Sequence, residues 1–250
     1  MAIKVVCSLV FAAGMLAVLP GTASAQPFTG TADFCDDATN DNAPSQSFGL
    51  FTDLRRGGGI NLDDGNCVLK IAGSTGSAGD MWITLLDSPG DPTPPPTFEC
   101  VFMAAPVFIH RFDNRKAIGF VSNVQPGVTP GSGTGLFAGL YDNGNTDALT
   151  LSTFQDGKLT STVGTLPLGS KIKEDVSYFL LAQVCNDGTN FFESGALVTD
   201  EVSFEEILFI PNGTPLPPGI ASSGQIGIAG QAKSAFVDSG VVDFFFWSGF

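Results

Sequence analysis

The chain has 250 residues, 43% of them apolar and only 14% charged, which supports a sizeable core and excludes a coiled coil or a charge-rich disordered chain. Its net charge of −14 argues against a nucleic-acid partner, because phosphate binding needs clustered Lys and Arg. With 31 Gly and 16 Pro, it is rich in turns and poor in long helices.

Residues 1–25 read as an export signal. Lys4 supplies a positive start, Val5 to Leu19 a short apolar stretch, and Ala23-Ser24-Ala25 a small-residue cleavage pattern, so the exported chain is expected to begin near Gln26. The apolar run is short for a spanning helix, and no later segment resembles a transmembrane helix, so a secreted or periplasmic protein is expected. Removing the leader removes Cys7. Cys35, Cys67, Cys100 and Cys185 remain, and an even set in an oxidising compartment predicts disulfides. The spacing leaves their pairing open, and the lack of CxxC argues against a thiolate zinc site or a redox motif.

Residues 26–54 are polar and Asn/Asp-rich, with Phe28, Phe34, Phe48 and Phe51 as the main apolar anchors. They are expected to lie over the domain as an irregular strand or flap. Residues 55–250 are expected to form a β-sandwich, a single domain together with that segment. Strand-like runs follow at Cys67–Ala72, Met81–Asp87, Phe98–Met103, Val107–Phe112, Ala117–Ser122 and Gly135–Tyr141. Further runs are Ala148–Phe154, Ser177–Cys185, Phe191–Val198, Gly224–Gly230 and Val241–Trp247. Asp64-Gly65, Asn143-Gly144, Asp156-Gly157, Asp187-Gly188 and Asn212-Gly213 supply turn chemistry, because Gly accepts positive φ at no steric cost. One helical turn is expected at Ser203–Leu208. The Gly/Pro-rich stretches Ser88–Thr97, Gln125–Gly133 and Pro211–Gly219 read as stiff surface loops. So many short strands predict a large all-β sandwich or barrel. The alternation from Val242 to Phe250 also matches the closing strand of an outer-membrane barrel, but 2 Trp and 2 Tyr are too few for its aromatic girdles.

One block is more specific. Gly135-Leu136-Phe137-Ala138-Gly139-Leu140-Tyr141-Asp142-Asn143-Gly144-Asn145 is followed by Ala148-Leu149-Thr150-Leu151 and, later, by Tyr178-Phe179-Leu180-Leu181. Together with Val242-Asp243-Phe244-Phe245, it resembles the concanavalin A-like lectin/glucanase superfamily, which includes the laminin-G-like domains. The resemblance runs from Val107 to the C-terminus and implies a jelly-roll sandwich of two antiparallel sheets. Two positions depart from the pattern: Gly139 stands where the group often has Arg, and Asp147-Ala148 where it often has Tyr.

The candidate site residues follow from face and chemistry. Period two puts Phe137, Gly139 and Tyr141 on one face, two rings flanking a glycine floor, with Asp142, Asn143 and Asn145 at the strand end. His110 and Arg111 close the list of candidate ligand contacts, Arg111 for an anionic sugar. His110, the only histidine, shares a strand face with Phe108 and Phe112 and reads more simply as a packed side chain. Asp33, Asp36 and Asp37 could meet Asp243 around a structural Ca²⁺, whose hard-oxygen preference they satisfy and which the resemblance also implies.

No catalytic set is expected. Glu201 and Glu205 lack the central Asp of the glucanase pattern, and no G-x-S-x-G elbow is present. The sequence therefore predicts a non-catalytic binding module directed to glycan or another cell-surface component. The alternatives are a structural or adhesive envelope protein and an atypical glycan hydrolase or lyase.

Overall fold

The computed structural model describes residues 28–33, 50–53, 60–63, 68–71, 81–87, 99–109, 117–126, 133–142, 146–168, 172–200, 205–231, 240–242 and 244–249. Every regular element among them is a strand. In chain order these begin with β1 (Phe28–Asp33), β2 (Leu50–Asp53), β3 (Ile60–Asp63), β4 (Val68–Ile71), β5 (Met81–Asp87) and β6 (Cys100–Ile109). The central group is β7 (Ala117–Pro126), β8 (Gly133–Asp142), β9 (Asp147–Gln155), β10 (Lys158–Pro167) and β11 (Val176–Asn186). The last are β12 (Phe191–Asp200), β13 (Glu205–Ile210), β14 (Gln225–Gln231), β15 (Gly240–Val242) and β16 (Phe244–Gly249).

They form two antiparallel sheets. The seven-stranded sheet runs β10-β9-β8-β7-β14-β5-β2. The nine-stranded sheet runs β13-β12-β11-β6-β15-β4-β3, with β16 also beside β6 and β1 beside β16. This is the jelly-roll sandwich expected from the sequence. The layer between the sheets is apolar. Val101, Met103, Ala105, Val107 and Ile109 of β6 and Leu180, Ala182 and Val184 of β11 meet Ile118, Phe120, Leu136, Ala138, Leu140, Leu149 and Leu151 from the other sheet. An apolar interior leaves no polar lumen, which removes the outer-membrane-barrel alternative.

The seven-stranded sheet is buried on its outer face as well. Ile83, Leu85, Val121, Phe137, Phe154 and Ala229 form a second apolar cluster there, with Tyr141 and Leu159 packed against it. Burying each large side chain on this face contributes about 1.5–3 kcal/mol. The sheet is therefore buried on both faces, and β8 and β9 are buried at nearly every position, Thr150, Ser152 and Thr153 included.

Two expectations are corrected and one strand is added. Ser203–Leu208 is not a helical turn: Glu205–Ile210 is a strand whose Leu208 and Ile210 point into the core with period two. Phe98–Met103 and Val107–Phe112 do not form separate strands, because β6 runs unbroken through Pro106. On one side of β6 the ladder passes from Val107, opposite Val242, to Ala104, opposite Phe246, so Pro106 sits where no donor is required. The added strand is Lys158–Pro167, which forms the edge strand β10. Its Thr-rich sequence and two register shifts conceal the period.

A disulfide joins Cys100 to Cys185, directly opposite each other on β6 and β11. Cys35 and Cys67 lie outside the described residues. Closing a loop with a sequence separation of 85 stabilises the fold by about 4–5 kcal/mol in the chain-entropy account. The double variant Cys100→Ser/Cys185→Ser is expected to lose about that much in urea unfolding, with the slope rising as the unfolded chain expands. An unchanged midpoint would show that the bridge constrains nothing.

Candidate functional site

The candidate site lies at the end of the sandwich where β8 ends and β9 begins. Strand β8 places Leu136, Ala138 and Leu140 in the inter-sheet core, as its period predicts. The opposite face differs from a groove with two open rings. Phe137 is 0% exposed and belongs to the outer apolar cluster, so its ring presents no face to a ligand; the inward payload expected of Phe has won over a platform role. Tyr141 is half-buried at the rim of the same cluster.

Between them the floor is a glycine pair. Gly139 lies opposite Gly119 of β7. A Cβ built at Gly139 would stand 2.5 Å from the Ile118 carbonyl oxygen and 2.6 Å from the Gly119 Cα. One at Gly119 would stand 2.4 Å from the Ala138 carbonyl oxygen. This close backbone approach accounts for the departure at Gly139: no side chain fits there unless the strands part.

Asp142 ends β8 and pairs in register with Asp147, which opens β9. Both are buried. Asp147 is an anchor: its Oδ2 accepts the Ile172 amide at 2.6 Å and its carbonyl accepts Leu168 N–H at 2.9 Å. From there the chain crosses to the other sheet. Lys173 N–H donates to the Tyr178 hydroxyl at 2.9 Å, and Asp175 N–H donates to the Ile109 carbonyl at 2.7 Å. Residues 172–176 thus tie the start of β9 to the end of β6. The end of β6 at Ile109 and the end of β8 at Asp142 therefore lie at the same end of the sandwich. His110, Arg111, Asn143 and Asn145 themselves lie outside the described residues. Asp147 and Tyr178 were not singled out as site residues; the only sequence signal for Asp147 was its place where the resemblance expects Tyr.

The opposite end is closed by side-chain amides. Asn123 Nδ2 donates to the Ala221 and Ser222 carbonyls, and Asn186 Nδ2 donates to the same Ser222 carbonyl at 2.9 Å. Since Asn123 is on β7 and Asn186 on β11, one loop is clamped to both sheets. Asn123 adopts φ 53, a left-handed conformation that Asn tolerates better than most residues.

Of the acidic set, Asp33 ends β1 opposite Phe244, the neighbour of Asp243. Asp36, Asp37 and Asp243 lie outside the described residues. Among the described residues, no group of three His, Cys, Asp or Glu side chains could hold a metal. Glu205 is exposed and pairs with Thr199 at the sheet edge.

No family model and no curated protein sequence matches this chain. Solved structures do. The basic winged bean lectin with Tn-antigen aligns with a TM-score of 0.54 at 7% identity, over 89% of this chain and 98% of that one. Lectin I from Ulex europaeus, in complex with the methyl glycoside of α-L-fucose, aligns with a TM-score of 0.53 at 8% identity, over 90% and 98%. A protein of unknown function from Shewanella oneidensis aligns with a TM-score of 0.50 at 11% identity, over 94% and 91%. The fold is therefore that of the concanavalin A-like lectin/glucanase sandwiches, as the resemblance implied, and at these identities the likeness concerns the fold alone.

Two predictions follow from this geometry. Gly139→Arg, which would restore the group's usual residue, is expected to destabilise by about 3 kcal/mol or more, read as a shifted denaturation midpoint; full stability would refute the close approach. Burial, ahead of the nearby carboxylates Asp200 and Asp147 and against the Lys173 hydrogen bond, raises the Tyr178 hydroxyl above the usual 10.0. A neutral form favoured by folding stabilises fully below the unfolded value and is lost as pH climbs through the folded one. Stability should fall on the alkaline side of pH 10, and a phenolate absorbance step above 10.0 should vanish in Tyr178→Phe.

Proposed function

We propose that this chain is an exported, non-catalytic binding module that takes carbohydrate at the loop end beside Tyr141 and Asp142. The observation that carries this reading is the bridge of residues 172–176 between Asp147 and Ile109. It sets at one end of the sandwich the ends of β6 and β8, after which His110, Arg111, Asn143 and Asn145 follow in the sequence. Tyr141, half-buried at the rim, is the ring with a polar handle that a wet sugar face calls for. The sharing of the fold with lectins solved with a fucoside and with Tn-antigen supports the reading. The Cys100–Cys185 disulfide supports an oxidising compartment, and no helix among the described residues is long and apolar enough to cross a membrane.

In this reading Asp33, Asp36, Asp37 and Asp243 hold a Ca²⁺ ion that joins the first strand to the last. The pairing of β1 with β16, which sets Asp33 opposite Phe244, the residue that follows Asp243 in the sequence, supports that assignment. The second reading, a structural or adhesive envelope protein without a sugar site, is favoured by the burial of Phe137, which leaves Tyr141 without its partner ring.

The test is retention of the oxidised, folded protein on a panel of immobilised polysaccharides, with Ca²⁺ and with EDTA. Saturable retention on one glycan is expected, weakened roughly tenfold by Tyr141→Ala, the loss of about 1.4 kcal/mol of ring contact. EDTA should lower both retention and the unfolding temperature. Clean flow-through across the panel would overturn the sugar site and leave the structural reading.

A further inference from the structure

Asn212 precedes a glycine and lies in an exposed turn. Asparagine before glycine is the form most prone to lose its side-chain amide, because no Cβ hinders the next backbone nitrogen. That nitrogen attacks Cγ and forms a C–N bond, and the side-chain amide leaves as ammonia. The proton of the attacking N–H passes through solvent to the departing group. Water then opens the cyclic imide at either carbonyl, giving Asp or isoaspartate, so water is the one co-reactant. At Asn212-Gly213 both reacting groups are engaged. Gly213 N–H donates to the Phe191 carbonyl at 2.9 Å, and Asn212 Oδ1 accepts the Glu193 N–H at 2.8 Å. The Thr214 N–H and hydroxyl both donate to the Pro211 carbonyl, at 3.0 and 2.7 Å, and close the turn. Phe191 N–H returns to the Thr214 carbonyl at 2.8 Å. Phe191, buried between the sheets, and Leu216, packed against the same core, anchor this corner.

We infer that Asn212 is a deamidation site gated by the fold, reacting only when the corner of residues 191–193 and 211–214 opens. An exposed side chain is here shielded by conformation rather than by burial. For Gly213 N to reach Cγ it must leave Phe191, and the Asn212 side chain must leave Glu193. The rate is then the intrinsic rate multiplied by the fraction of chains with the corner open. The event is one-way. Asp places a new carboxylate beside the exposed Glu193, in a chain already at −14. Isoaspartate inserts an extra carbon into the backbone, so the turn that Thr214 closes on Pro211 no longer fits its span. Each reaction therefore records an opening and hinders reclosure. Phe191 pairs with Asn186, at the end of the sandwich opposite Tyr141, so the inference is independent of the sugar reading.

Peptide mass spectrometry of the full exported protein, aged in mildly alkaline buffer, tests it. One sample is oxidised and folded; the other is reduced and held unfolded in guanidinium. In the unfolded sample Asn212 should react at a rate like that of Asn143, the chain's other Asn-Gly residue. In the folded sample Asn212 should react at least about tenfold more slowly. Hydrogen exchange at the Gly213 and Glu193 amides, which reads the same opening, should be slowed by at least that factor. Gly213→Ala should slow the reaction at Asn212 in the unfolded chain, as the cyclic route requires. Equal rates in the folded and unfolded samples would overturn the inference, as would unprotected amides or an Asn212 inert in the unfolded chain.

Discussion

The molecule depends on one apolar layer between two sheets, and on the register that keeps it continuous. Strands β6 and β11 contribute alternate residues from Val101 to Ile109 and from Tyr178 to Val184, and β7, β8 and β9 answer from the other side. A one-residue slip in any of these ladders would exchange the inward and outward sets. In the nine-stranded sheet that exchange would be costly, because Phe179, Leu181 and Leu197 are larger than several of the residues they would replace. In the seven-stranded sheet both faces are buried and β8 is apolar in both parities, so register there is fixed by other means as well. The Gly119–Gly139 contact is one of them: only glycine opposite glycine permits the approach.

This difference explains what was legible in the sequence. The β8–β9 hairpin was legible because Gly135 to Tyr141 alternates, an Asn-Gly turn follows and Ala148 to Phe154 answers. The same passage misled about its function. Period two correctly put Phe137 and Tyr141 on one face, yet nothing in the local sequence said that this face would be covered. The same apolar face is continued across the sheet by Ile83, Leu85 and Ala229, from strands remote in the chain. Strand β13 was hidden for a related reason: Ile207-Leu208-Phe209-Ile210 is apolar at every position, so its alternation emerges only from burial. Strand β10 was hidden by polarity, since an edge built from Thr160, Ser161, Thr162 and Thr165 carries little hydrophobic signal.

The candidate site was legible in part. Tyr141 was drawn from the period-two face it shares with Phe137, and Asp142 from its place at the strand end. Asp147 was noticed only as a departure, yet its carboxylate anchors the segment that crosses between the sheets. A buried carboxylate that accepts a backbone N–H substitutes for a missing ladder partner, and such a role depends on Ile172, a residue no spacing rule connects with it. The clamp at the other end is equally long-range: Asn123 and Asn186 meet on the Ser222 carbonyl from three separate parts of the chain.

The Cys100–Cys185 bridge has a consequence for the route to this fold. Strands β7, β8, β9 and β10 all lie between the two cysteines, so the bridge encloses the whole meander at one side of the seven-stranded sheet. Within that meander each strand pairs with its sequence neighbour, which is entropically cheap. The pairing of β6 with β11 is the distant one that must close around it. Once the bond has formed, this long closure becomes a local one. For the oxidised chain the separation that governs folding speed is measured through the sulfur atoms rather than along the backbone.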